Sequence, residues 1–110
     1  MEIKTNIEKE TLAVKITAEE AGQVVGRAFL YVLKNELHKE PFGFLEDVFV
    51  DADYRNKGIG KQLVEKAIVE ARSRNCYKLI GNSRFENEAA HRFYERLGFK
   101  KQGYEFRMDF

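Results

Sequence analysis

Between Val50 and Leu63 the apolar spacing of this chain changes: before that point hydrophobic side chains recur at every second residue, and after it at steps of one, three and four. A strand is therefore expected to hand over to a helix through a loop that carries Gly58 and Gly60. Upstream, Leu12, Val14 and Ile16 alternate with Ala13, Lys15 and Thr17, and Val24 to Leu33 is rich in β-branched and aromatic residues. Glu19-Glu20-Ala21-Gly22 between them reads as the turn of an antiparallel hairpin. A third strand is expected from about Phe42 to Val50, with Phe44, Glu46, Val48 and Val50 on one face and Leu45, Asp47 and Phe49 on the other.

Downstream, Leu63, Val64, Ala67, Ile68 and Ala71 form the stripe of an amphipathic helix ending near Asn75. Tyr77 to Ser83 suggests a buried strand, which makes a β-α-β crossover with parallel strands. Asn87 can cap a second helix bearing Ala90, Phe93, Tyr94 and Leu97, with Gly98 just past its end. Tyr104, Phe106, Met108 and Phe110 alternate, so a last strand is expected there. The fold class is α/β, a mixed sheet antiparallel in its first half, and no proline- or serine-rich stretch splits residues 1–110 into two domains.

Charge bounds the partners. Nineteen basic residues against eighteen acidic ones give no broad positive field, so nucleic acid is not expected as a partner. No run approaches the roughly 18 apolar residues of a membrane span, so a membrane is not expected either. Cys76 is alone and the start Met1-Glu2-Ile3-Lys4 lacks the apolar run of a signal peptide, which makes the cytoplasm the expected location. Two histidines and one cysteine offer no metal-ligand spacing, so no metal is expected.

The stretch that carries chemistry is Val48-Phe49-Val50-Asp51-Ala52-Asp53-Tyr54-Arg55-Asn56-Lys57-Gly58-Ile59-Gly60-Lys61. Its glycines leave room for an anion to approach backbone N–H groups at the positive end of a helix, and Arg55, Lys57 and Lys61 add charge. Each charge-assisted hydrogen bond there contributes about 1.5–3 kcal/mol, so a pyrophosphate can be held on a near-neutral protein. A dinucleotide fingerprint needs a third glycine where Leu63 stands, and no phosphate-loop sequence is present.

A strand, Arg-x-x-Gly-x-Gly, a helix, a second strand and then Asn87 with Tyr94-Glu95-Arg96-Leu97-Gly98-Phe99 together resemble the GCN5-related N-acetyltransferase (GNAT) family over roughly residues 42 to 104. The resemblance implies an enzyme that moves the acetyl group of acetyl-CoA directly to a primary amine. It implies a strand pair that splays to admit the pantetheine arm beside Val48, Phe49 and Val50, and a pyrophosphate held by Arg55, Asn56, Lys57, Gly58, Ile59, Gly60 and Lys61. It further implies that Asn87 contacts the pantetheine and that Tyr94 faces the thioester sulfur as general acid. A phenol that is protonated at neutral pH suits that role.

An attacking amine must lose a proton, and Glu46, expected on the face of Val48 and Val50, is the first choice for the base. The competing roles for Glu46 are to bind a cationic acceptor or to pair with an arginine, and Asn82 is a second candidate for the acceptor pocket. Glu46-Asp47-Val48, Asn75-Cys76-Tyr77-Lys78 and Ala90-His91-Arg92-Phe93-Tyr94 are similar to segments of family members that act on sugar phosphates and other small amines, which favours a small-molecule amine. A peptide amine, or acyl-CoA sensing without catalysis, are the alternatives. The family usually places two helices between its first and second strands. None is found here, so the acceptor side is expected to be either unusually open or completed by a second copy, a homodimer.

Overall fold

The computed structural model describes residues 1–110 as a four-stranded sheet with one long and one short helix. In chain order the elements are β1 (Leu12–Glu20), β2 (Gln23–Leu33), β3 (Phe42–Val50), a one-turn 3-10 helix at Ala52–Tyr54, α1 (Ile59–Ser73), β4 (Leu79–Gly81) and α2 (Glu88–Arg96). The sheet order is β1-β2-β3-β4, antiparallel through β3 and parallel between β3 and β4. This is the mixed α/β sheet with a β-α-β crossover that the sequence predicts. No helix lies between β1 and β2, because Ala21 and Gly22 make a two-residue hairpin loop with both φ angles positive, 49° and 79°.

One face of the sheet is the core. Ile16, Ala28 and Leu45 meet Leu63, Val64 and Ala67 of α1 there, and the α1 stripe is the one read from the sequence. Leu30, Val32 and Ala71 form a smaller cluster beside it, with half-buried Cys76 against them. Burial pushes the Cys76 thiol up, against the smaller opposing effect of Arg74, so it sits as a packing residue with its proton on.

Three expectations need correction. The strand expected over Tyr77 to Ser83 is only Leu79–Gly81, half-buried, since Tyr77 is exposed and its ring stands against Phe42 and His38 instead. The last strand is absent: residues 100–110 lie outside every element and make no backbone hydrogen bond to the rest of the chain. Alternation marks a chain able to cover an apolar surface, but a strand also needs a neighbour to bond.

The third correction changes the site. Phe29 lies opposite Glu46 while Arg27 lies opposite Phe49, so β3 takes three steps where β2 takes two. The extra residue is Asp47, left-handed at φ 54°, and it makes a β-bulge. Past a bulge the alternation shifts by one, and Val48 and Val50 pack with Leu45 against the α1 core. Glu46 therefore does not share their face; it stands with Phe29 on the side away from α1.

Candidate functional site

The site is built where β3 and β4 part. Their pairing covers only Gly43↔Leu79, Phe44↔Ile80 and Leu45↔Gly81, after which β3 runs on from Glu46 to Val50 with no strand on that side. At the end of β3 the Asp51 N–H donates to the Val25 carbonyl at 2.8 Å, toward β2. Peptide groups alternate along a strand, so the Val50 peptide faces the gap, and its carbonyl accepts from Arg55 Nε at 2.8 Å.

A cleft of about 340 Å³ opens at this place, lined by Val48, Phe49, Val50, Tyr54, Arg55, Asn56, Gly58, Ile59 and Gly60. Gly58 caps α1 in the left-handed region at φ 79°, and Asn56 is left-handed at φ 63°, so the loop curls before the helix begins. The first helical bond is Gln62 N–H to the Gly58 carbonyl at 3.1 Å, and the N–H groups of residues 56 to 61 donate to no acceptor in the chain. Unpaired amides at the head of a 15-residue helix are the arrangement that receives an anion. A Cβ added at Gly58 would meet nothing within 4 Å, and at Gly60 only Val50 Cγ2 at 3.9 Å, so the glycines leave open space in front of those amides. The chain thus fits a diphosphate-bearing ligand.

The basic side chains are less concentrated than their spacing suggests. Arg55 turns back onto the strand, its guanidinium 5.3 Å from the Phe49 ring centre, and Lys57 lies 5.2 Å from that of Tyr54. Lys61 leans along the exposed face of α1 to Glu65 at 3.9 Å. Lys57 and Lys61 are thus not among the residues that line the cleft. Arg27 and Tyr54 were not among the residues singled out from sequence: Tyr54 lines the cleft, and Arg27 lies 4.9 Å from the Phe49 ring centre. Tyr54 stands within the Val48–Lys61 stretch but was given no role there, and Arg27 has no local sequence signal, since it reaches Phe49 only through the β2–β3 register.

Asn87 begins α2 with its side-chain oxygen accepting from the Ala90 N–H at 3.0 Å. That bond uses the carbonyl and leaves the side-chain amide free to donate. Asn87→Asp keeps the cap and removes the donor, whereas Asn87→Ala removes both. The expected outcome is a thermal midpoint near wild type for the first and a loss of about 1 kcal/mol for the second, with weakened coenzyme binding in both by calorimetry.

Tyr94, half-buried on α2, is held edge-on between Phe93 and Phe99, with ring centres 5.2 and 5.4 Å away. Burial pushes its phenol above the ordinary 10.0, and the negative charge of Glu46 pushes it further the same way. Glu46 is thus close enough to be felt at Tyr94 although the two lie on different elements. Glu46 is half-buried and pairs with no cation, so of its expected roles the arginine pair is not formed. Asn82 is exposed directly after β4, at the mouth of the gap. His91 touches the Arg84 carbonyl at 2.9 Å and ties α2 to the loop before it. No group of three or more His, Cys, Asp or Glu side chains is placed to hold a metal ion.

The profile of the acetyltransferase (GNAT) family matches residues 2–99. Among characterised proteins, a glucosamine 6-phosphate N-acetyltransferase of Trypanosoma brucei brucei is 38% identical over 89 residues, 80% of this chain and 58% of that protein. N-alpha-acetyltransferase 30 of Xenopus laevis is 37% identical over 78 residues, 69% of this chain and 29% of that protein. The chain thus spans well under two thirds of the length of either. In three dimensions the crystal structure of glucosamine-6-phosphate N-acetyltransferase from Arabidopsis thaliana superposes with a TM-score of 0.79 at 30% identity, covering 89% of this chain and 67% of that one.

Proposed function

Since this chain belongs to the acetyltransferase (GNAT) family, we propose that residues 1–110 form one domain that transfers the acetyl group of acetyl-CoA directly to a primary amine of a small molecule. The observation that carries the reading is the row of unbonded amides from residue 56 to 61 beside a strand whose edge is left open. When bound, acetyl-CoA supplies the activated acyl group and a thiol leaving group.

The chain's own residues would then divide the work. The amides of Asn56 to Lys61, with the charges of Arg55 and Lys57 behind them, hold the diphosphate. The open edge of β3 at Val48, Phe49 and Val50 offers peptide groups to the pantetheine arm, and Asn87 donates its side-chain amide. Glu46, unpaired beside the gap, takes a proton from the incoming ammonium at its carboxylate, directly or through water, so that the nitrogen lone pair can form the new C–N bond. As the C–S bond breaks, the Tyr94 hydroxyl gives its proton to the sulfur, and the second proton lost by the nitrogen on becoming an amide restores the phenol. Asn82, exposed directly after β4, would hydrogen-bond the acceptor.

A small-molecule acceptor is supported by the glucosamine 6-phosphate N-acetyltransferase relatives. A protein N-terminus is the second reading, favoured by the exposed mouth at Asn82 and by the similarity to N-alpha-acetyltransferase 30. A homodimer in the cytoplasm completes the proposal. The free thiol of Cys76 is consistent with a reducing compartment, and no helix is long and apolar enough to cross a membrane.

The test is a thiol-release screen with acetyl-CoA over sugar phosphates, polyamines, aminophosphonates and peptides. Turnover with a non-peptide amine is the expected result. Turnover with peptides alone moves the function to the second reading, and tight coenzyme binding with no turnover on any amine makes the chain an acyl-CoA sensor instead.

A further inference from the structure

On the sheet face away from α1, two opposite charges stand near each other and do not meet. Glu46 of β3 lies opposite Phe29 of β2, and Arg27 lies opposite Phe49. Ala28, between residues 27 and 29, is buried in the α1 core, so Arg27, Phe29 and Glu46 share the other side. Residues two apart on a strand are about 7 Å apart, which is the spacing along the sheet between the position of Arg27 and that of Glu46. Both side chains are half-buried, and neither forms an ion pair. Diagonal neighbours on paired strands are within reach of long side chains, so the pair is held open rather than out of range. Phe49 holds it open: the Arg27 guanidinium carbon lies 4.9 Å from the centre of its ring.

A half-buried guanidinium whose only neighbour is a ring has given up water for a modest attraction, so an anion brought to it gains a charge-assisted bond. Glu19 of β1, two residues past the Thr17 that lies opposite Arg27, is exposed and is not paired with it either. Lys15 of β1 lies opposite Phe29, its ammonium 5.8 Å from that ring centre and also without an acid partner, and adds positive charge to the same side. The donor's diphosphate is not the anion that fits here. The unbonded amides suited to it lie at the head of α1, and Arg27 is not among the residues that line the cleft beside them, whereas Arg55 is. Arg55 stands at the same Phe49 ring but is fixed from the cleft side by its bond to the Val50 carbonyl. Arg27 is left as a free cation on the Glu46 face.

We propose that Arg27 selects the acceptor: the amine that this chain acetylates carries a phosphate, which Arg27 binds while Glu46 receives the ammonium end. The inference rests on Glu46 being the group that meets the amine, and it narrows the acceptor from any small amine to one of mixed charge. A ligand with opposite signs at its two ends matches the two protein charges, and a guanidinium fork takes two phosphate oxygens at once. The rings of Phe29 and Tyr31, stacked at 6.4 Å, give the carbon frame between those ends an apolar surface to lie on. A polyamine would bring a second cation to Arg27 and is disfavoured by the same geometry. Arg27 makes and breaks no bond; its part is specificity.

The experiment compares matched amines by thiol release: 4-aminobutyl phosphate against 4-aminobutanol, and glucosamine 6-phosphate against glucosamine. The wild-type chain is expected to prefer the phosphorylated member of at least one pair by roughly 10- to 150-fold in kcat/KM, with the difference lying in KM. Arg27→Gln is expected to remove that preference while coenzyme affinity by calorimetry and the thermal midpoint stay near wild type. Arg27→Lys, which keeps the charge and loses the fork, is expected to restore part of it. Equal use of both members of both pairs overturns the proposal, and so does a preference that survives Arg27→Gln. A variant that loses coenzyme affinity instead also overturns it, by making Arg27 a donor residue. Absence of turnover on every amine is a failure of acetyl transfer itself, and calorimetric titration of 4-aminobutyl phosphate into the protein with saturating CoA then decides: binding abolished by Arg27→Gln supports the anion site, and binding that is absent or indifferent to the substitution overturns it.

Discussion

Tyr94→Phe is expected to lower the rate of thiol release by roughly 10²–10⁴-fold while coenzyme affinity stays near wild type. The ring keeps its place between Phe93 and Phe99, and only the hydroxyl that returns a proton to sulfur is removed. Steady-state thiol release with a saturating amine, paired with calorimetric titration of the coenzyme, separates the two quantities. An unchanged rate would take Tyr94 out of the mechanism. The pH profile gives an independent check. Burial and the nearby Glu46 charge hold the Tyr94 proton beyond the ordinary 10.0, so any alkaline fall in rate caused by loss of this acid lies above that pH. Linkage has the same sign. With the folded pKa above the unfolded one, the contribution of Tyr94 to stability is whole below pH 10.0 and is lost as pH rises through the folded value. The Phe variant lacks that loss.

Gly60→Ala is the second large expectation, and its two effects have opposite signs. Gly60 lies in the first turn of α1 with no positive φ, and a Cβ there meets only Val50 Cγ2 at 3.9 Å. Helix propensity then predicts a gain of about 0.5–1 kcal/mol in stability. The same methyl projects in front of the amides of residues 56 to 61, and losing even one charge-assisted bond to the diphosphate, about 1.5–3 kcal/mol, weakens coenzyme binding by roughly 10- to 150-fold. A thermal melt and a calorimetric titration on one sample decide it. A variant that is both more stable and equally tight would show that the ligand does not approach this backbone.

These expectations rest on parts of the molecule that differ in how openly the sequence declares them. The change from alternating to helical spacing gives β3 its observed bounds, Phe42–Val50, and the apolar stripe of α1. Local chemistry was equally readable: Ala21-Gly22 turns the hairpin, and Asn87 caps α2 as its side chain allows. The face of Glu46 was not readable from alternation, because alternation assumes an unbroken strand and Asp47 breaks it. The signal was there in weak form, as aspartate is one of the few non-glycine residues that accept the left-handed region. At residues 104 to 110 the limit is different in kind. The pattern reports correctly that alternate residues are apolar, but a strand also needs an edge to bond, and local alternation does not say whether one is within reach. The directions taken by Arg55, Lys57 and Lys61 were out of reach for a related reason, since each is set by a neighbour in space: the Val50 carbonyl, the Tyr54 ring and the Glu65 carboxylate.

The bulge at Asp47 also makes the two ends of β3 separately adjustable. Val48 and Val50 are tied to the α1 core and line the cleft, while Glu46 and Phe44 look out on the other side, where the amine would arrive under the proposed mechanism. Under the proposed mechanism, a change of acceptor can therefore be made by altering side chains ahead of residue 47 without retuning the half proposed to hold the donor. Removing residue 47 would put Val48 directly opposite Ala28 and leave Leu45, Glu46, Val48 and Phe49 in unbroken alternation on the faces they now occupy, so the deletion is expected to straighten the strand and change its twist without turning Glu46 inward.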